Sequence, residues 1–217
     1  LEEVTQYLGR FDHEPQWRSS RKADWNNCAT SKEKSKTGFV GLKNLGCTCY
    51  MNSVLQQLFT ISSFRESILQ SPVKEPLEEN LLYELQYIFS SLKYSAKQYI
   101  NTKGFTSAFK DFEGNPVNVM EQMDADEFFS TFMDRIEELL KGSSNEELIK
   151  NHFGGLQVTE IIGKDCGHRS ERLEPFLTVP LEVKNKKSII EGLESFVEGE
   201  LLEGENAYQC DQCQDKV

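Results

Sequence analysis

Cys49 stands where a turn containing Gly41 and Gly46 gives way to an apolar-periodic segment. Met51, Val54, Leu55, Leu58 and Phe59 fall at i, i+3, i+4, i+7 and i+8, one face of a helix starting near Cys49. A thiolate at a helix start is favoured by the dipole and by backbone N–H groups that lack intrahelical partners. The same N–H groups, with a side-chain amide close by, can hold a developing oxyanion. Asn44, five residues upstream in the turn, is placed to supply that amide. The plainer alternative makes Cys49 a small buried hydrophobe and Asn44 a turn residue.

A second set of thiols lies near the end of the chain. Cys210 and Cys213 form a Cys-x-x-Cys pair, and Cys166 sits in the segment GKDCGHRSERLEPF at 163–176. Two such pairs from separate strand ends would hold a structural zinc. Here the first pair is incomplete, because Gly163 stands where its earlier Cys would be. Cys166, Cys210 and Cys213 could take His168 or a water as fourth ligand; the alternative is a degenerate site held by packing alone.

These groups sit in a chain of 217 residues, long enough for one domain with a sizeable core or at most two small ones. With 35 acidic against 24 basic residues the net charge is −11, which argues against a nucleic-acid partner. It suits a basic protein partner or a solvated acidic surface. No apolar run approaches the roughly 18 residues of a membrane helix, and the N-terminus has no secretory pattern. Six cysteines without an export signal read as thiols in a reducing, intracellular compartment, cytoplasmic or nuclear.

Three helical stripes are expected to carry the first site. Besides the one after Cys49, Leu81, Leu85, Ile88 and Leu92 make a second. Ala125, Phe128, Phe129, Phe132, Ile136, Leu139 and Leu140 make a third, with Gly142 just past its end as a stop. Beyond Asn151 the period shortens. Leu156 and Val158 alternate with polar neighbours, Leu177, Val179, Leu181 and Val183 alternate more cleanly, and a short helix follows over 188–197. Helices first and strands later predict an α+β layout. Residues 1–37, with Trp17 and Trp25, read as a polar and partly disordered lead-in.

The string Gly-Leu-x-Asn-x-Gly-x-Thr-Cys-Tyr-x-Asn-x-x-Leu-Gln, matched from Gly41 to Gln56, closely resembles the Cys box of the ubiquitin-specific proteases. That resemblance implies Cys49 as nucleophile and Asn44 as oxyanion donor, with no cofactor for catalysis. Further on, EQMDADEFF at 121–129 is similar to the family's Gln-Gln-Asp-Ala-x-Glu-Phe segment, with Met123 in place of the second Gln. It implies that Gln122, Asp124 and Glu127 line a channel for the ubiquitin tail. An acidic first turn complementing a helix dipole would use Asp124 and Glu127 equally well.

The resemblance further implies a papain-like fold of thumb, palm and fingers. Residues 38–150 would form the helical thumb and 151–217 the start of the fingers, where family members often carry zinc. The implied activity is a deubiquitinating thiol hydrolase acting on ubiquitin and ubiquitinated proteins, similar to the large multidomain members. A cysteine protease also needs a base. Only His13, His152 and His168 are present, none in a segment matching the family's His region, which follows the second Cys pair. The chain begins with Leu and ends four residues past Cys213, so it is expected to be the N-terminal part of a longer domain, inactive alone. The competing expectations are a non-catalytic ubiquitin-binding module or pseudoenzyme, and a zinc-ribbon interaction domain.

Overall fold

The computed structural model describes residues 38–74, 79–110 and 114–216. The lead-in expected over residues 1–37, with Trp17 and Trp25, lies outside the described residues. The chain divides into two compact units between Ile149 and Lys150.

The first unit is helical, and the three stripes read from the sequence are its main helices. They are α1 (Cys49–Thr60), α3 (Leu81–Tyr94) and α5 (Ala125–Leu140), joined by shorter α2 (Ser62–Gln70) and α4 (Lys103–Ala108), while α6 (Leu148–Phe153) runs across the division. Helix α3 is the most enclosed: Leu81, Leu82, Leu85, Ile88, Phe89 and Leu92 are all buried. Asn80 caps its start, accepting from the Tyr83 N–H at 3.1 Å. Its buried Gln86 donates from Nε2 to the carbonyls of Ile68 and Ser71, each at 2.8 Å. Those bonds satisfy carbonyls around the C-terminal end of α2, which burial would otherwise orphan.

Six phenylalanines, at 64, 89, 105, 109, 128 and 132, are almost fully buried. Phe128 meets Phe109 edge-on with centroids 5.1 Å apart and stacks on Phe132 at 5.6 Å, so α5 is anchored by aromatic contact as well as area. Gly142, two residues past the end of α5, has φ +73°, the left-handed stop expected there. Two-residue strands β1 (Gly41–Leu42) and β2 (Tyr99–Ile100) pair in parallel, a feature the sequence did not announce.

In the second unit, β3 (Gly155–Ile162) and β4 (Arg169–Phe176) form an antiparallel ribbon, with Val158 opposite Leu173. Helix α7 (Ile189–Phe196) follows, capped by Ser188, whose Oγ accepts from the Glu191 N–H at 3.2 Å. The strand expected over 177–183 is absent: that segment joins no ladder, and the partner of β3 is the charged stretch before it. Leu177, Val179 and Leu181 are half-buried between exposed neighbours, so the alternation records sidedness without pairing. Pro180 lacks the N–H that a ladder needs. No described helix is long and apolar enough to cross a membrane.

Glu84, in the first turn of α3, lies against Gly104, where a Cβ would run into its carboxylate. Burial pushes its carboxyl above the usual range. The folded state therefore favours the protonated acid, and stability falls as pH rises from the unfolded value of about 4.3. Glu84→Gln is expected to raise the unfolding midpoint at pH 7, with the gain vanishing near pH 4; thermal melts across that range check it.

Candidate active site and thiol cluster

Residues 41–48 form a loop pinned at both ends. On one side Gly41 N donates to Gln98 O at 2.7 Å and Lys43 N to Ile100 O at 2.9 Å, extending the β1–β2 pairing. On the other, Cys47 N donates to Val119 O at 2.7 Å. Between them Gly46 has φ +144°, and a Cβ there would lie 2.6 Å from Val119 O. Only glycine allows that approach.

Inside the loop, three donors converge on Asn44 Oδ1: Thr48 Oγ1 at 2.8 Å, Thr48 N at 3.1 Å and Gly46 N at 3.4 Å. An atom receiving two N–H groups is the amide oxygen, which settles the amide's orientation. The Nδ2 hydrogens of Asn44, an exposed residue, then have no partner among the described residues.

Helix α1 starts at Cys49, whose side chain is exposed, with the buried Thr48 as N-cap residue. Thr48 makes no side-chain cap, and the first backbone bond of the helix runs from Asn52 N to Thr48 O at 3.0 Å. The N–H groups of Cys49, Tyr50 and Met51 are therefore uncapped, at the positive end of the dipole. No acidic side chain occupies the first turn to compete for them.

Gln122, Asp124 and Glu127 are all exposed around the start of α5. Asp124 is its N-cap: Oδ1 accepts from Asp126 N at 2.7 Å and Glu127 N at 3.4 Å, the structural role that the sequence left open. Helices α1 and α5 meet through Tyr50 and Phe128, edge-on at 5.5 Å. The Tyr50 hydroxyl is buried without a partner among the described residues. Burial, then the nearby charges of Cys49 and Glu127, push its phenol up. One phenol thus senses both the expected nucleophile and an expected substrate-contact carboxylate.

In the second unit, Cys166, His168, Cys210 and Cys213 come together, with one donor atom from each and all four within 4.8 Å of one another. Two turns build the cluster. Gly163 N donates to His168 O at 2.8 Å and Gly167 N to Gly163 O at 2.7 Å across the end of the ribbon. Facing them, Gln214 N donates to Cys210 O at 2.8 Å and Cys210 N to Asp215 O at 2.9 Å. Backbone N–H groups of Cys213 and Gln212 aimed at Cys210 bring its thiol down to about 6. The Asp215 N–H favours the Cys213 thiolate, but the adjoining Cys210 sulfur, burial and Cys166 push that thiol up.

The donor spacing suits zinc. Tetrahedral Zn–S bonds of about 2.3 Å put sulfurs about 3.8 Å apart. Cys166 Sγ and Cys210 Sγ are 3.9 Å apart, and Cys210 Sγ lies 3.6 Å from His168 Nδ1. His168 brings the fourth donor atom to the three thiols, and it is one of the two fourth ligands the sequence left open. Thr48, by contrast, carried no sequence signal beyond its place in the motif.

Cys49 thus stands exposed at an uncapped helix start, with the unpaired Asn44 amide N–H₂ in the same loop. The chain belongs to the ubiquitin carboxyl-terminal hydrolase family, whose model matches residues 40–211. It is 38% identical to ubiquitin carboxyl-terminal hydrolase 24 of Mus musculus, across 100% of this chain and 8% of that protein. It is 34% identical to ubiquitin carboxyl-terminal hydrolase 9X of Mus musculus, across 89% of this chain and 9% of that protein. A relative from Drosophila melanogaster, the probable ubiquitin carboxyl-terminal hydrolase FAF, is 32% identical over the same shares. The chain spans less than a tenth of the length of these relatives. The family implies a papain-like fold, with which helices and small sheets agree.

Asp124→Ala removes the α5 cap and is expected to destabilise the first unit by about 1 kcal/mol, whereas Asp124→Asn, which can still accept, stays within a few tenths. Urea unfolding of the two variants beside the wild type reads the difference.

Proposed function

We propose that this chain supplies the nucleophile of a deubiquitinase that cleaves after the C-terminal glycine of ubiquitin. The observation that carries the reading is the exposed Cys49 at an uncapped helix start beside the unpaired Asn44 amide, in a member of this family. The Cys49 thiolate attacks the carbonyl carbon, and the π electrons move to oxygen. Asn44 Nδ2–H and the free N–H groups of α1 stabilise that oxyanion. Collapse expels the protonated amine and leaves a thioester, which water hydrolyses.

The base that takes the thiol proton is assigned to neither described histidine, because neither stands in a segment matching the family's His region. His168 stands against Cys210 and His152 against Phe153 at 6.3 Å. Gln122, Asp124 and Glu127 receive the extended ubiquitin tail, whose arginines suit their carboxylates and amide. Residues 38–150 serve as the thumb and 151–217 as the start of the fingers. There Cys166, His168, Cys210 and Cys213 hold a structural zinc, which supplies cross-linking and no catalysis.

Two measurements test this. Ubiquitin bearing a thiol-reactive C-terminus should give one adduct by intact mass, absent in Cys49→Ala. An adduct that persists in Cys49→Ala would place the reaction on another thiol and remove the Cys49 assignment, whereas ubiquitin binding that survives Cys49→Ala with no adduct in the wild type would favour a non-catalytic binding module. Native mass spectrometry should find one zinc per chain, lost on Cys210→Ser together with a fall in the melting temperature of the second unit; a metal-free wild type would remove the zinc assignment.

A further inference from the structure

We propose that Thr48 is a positioning residue of the acyl-transfer centre, fixing the Asn44 amide so that Nδ2 and not Oδ1 is presented to the oxyanion. The inference rests on the deubiquitinase reading above and adds a residue to it.

The two ends of an asparagine amide are nearly isosteric, and rotation about its last torsion exchanges them. With oxygen turned toward the reaction, an acceptor would meet a developing negative charge and the transition state would be disfavoured. Something must therefore select one end. The loop does so with two bonds from a single residue: Thr48 Oγ1 at 2.8 Å and Thr48 N at 3.1 Å, both to Asn44 Oδ1.

The direction of the hydroxyl proton is itself determined. Leu45 N donates to Thr48 Oγ1 at 3.1 Å, so a lone pair is engaged there and the O–H hydrogen points to Asn44. Thr48 is 0% exposed, which leaves water no access to replace that donor. A flipped amide would set its own N–H₂ against the Thr48 and Gly46 N–H groups and leave three donors unpaired.

The same residue forgoes the usual work of its position. A threonine at an N-cap ordinarily turns its oxygen to an N–H of the first turn, from an extended backbone. Thr48 has φ −91° and ψ 18° and makes no such bond. Its hydroxyl is spent on Asn44, and the N–H groups beside Cys49 stay open. One side chain thereby prepares both halves of the oxyanion site.

The test compares two ubiquitin probes on the wild type, Thr48→Val, Thr48→Ser and Asn44→Ala. A C-terminal ubiquitin aldehyde reacts by addition: the Cys49 thiolate bonds to carbon, the C=O pair moves to oxygen, and that oxygen takes a proton. A C-terminal ubiquitin bromoethylamide reacts by displacement, forming C–S and releasing bromide with no oxyanion. Thr48→Val is expected to slow the aldehyde roughly 10- to 100-fold more than the bromide. Thr48→Ser, which keeps the hydroxyl, should restore the wild-type ratio. The Asn44→Ala/Thr48→Val pair should be no slower toward the aldehyde than Asn44→Ala alone.

Equal slowing of both probes, or additive effects in the double variant, would overturn the proposal. Thr48→Ala adds no volume and reads the same ratio where valine disturbs packing. A wild type labelled by iodoacetamide but by neither ubiquitin probe would instead sink the deubiquitinase reading beneath it.

Discussion

The carbonyl of Val119 does two things at once. It accepts the Cys47 N–H at 2.7 Å, and it occupies the space where any side chain at residue 46 would begin. The loop that carries Asn44 and leads into Cys49 is thereby sewn to the segment that runs into Gln122 and the start of α5. That stretch is itself turned by Asn118, which accepts from Met120 N and Glu121 N at 3.1 Å each. Since backbone bonds make the seam, its geometry depends on Gly46 more than on the identity of its neighbours. A β-carbon at 46 would force the two strips of chain apart, and the loop leading into Cys49 would lose its register with α5.

Below that seam the aromatic core fixes the helices. Tyr50 follows Cys49 in α1 and Phe128 follows Glu127 in α5, and their rings meet at 5.5 Å. Phe128 is tied onward to Phe109 and Phe132. Cys49 and Glu127 thus each neighbour, in sequence, a residue that is locked into the core. Close packing resists small displacements, so the spacing between Cys49 and the acidic start of α5 is set before any ligand arrives. The unpaired Tyr50 hydroxyl is the visible cost of placing a phenol there.

Legibility followed burial. Helices α1, α3 and α5 each bury most of a stripe, and each was readable from its spacing, although Ala125, expected in the α5 stripe, is exposed. Helix α2 buries only Phe64 and Ile68, one i, i+4 pair, too little for periodicity to separate from loop. Strand β4, RSERLEPF, has five of its eight residues exposed at its start and no alternation to read. The cleaner alternation after it belongs to a segment that never pairs. Cys49, Asn44 and the thiols were legible because their chemistry lies in residue type and spacing. The hydroxyl direction at Thr48 and the arrival of His168 among the thiols were not, since turns that only the folded chain displays determine both.

The two thiol sites show how the units differ in what holds them. In the first, the core is apolar and Cys49 is exposed, dispensable to packing and available for chemistry. In the second, Cys210 carries the only buried apolar side chain among the residues described after Ile149. Leu156, Val158, Ile162 and Leu173 all remain exposed on the ribbon. A two-stranded ribbon is at best marginally stable in water by itself. With so little apolar area enclosed, the stabilisation has to come from cross-linking the two turns or from covering the ribbon face. The cluster offers the first. Backbone N–H groups that pull Cys210 down to about 6 make its thiolate ready at neutral pH, which is the ionisation that metal binding requires. On this reading Gly163 need not supply a ligand, because the turn it belongs to, closed by Gly163 N and His168 O, brings an imidazole to the three thiols.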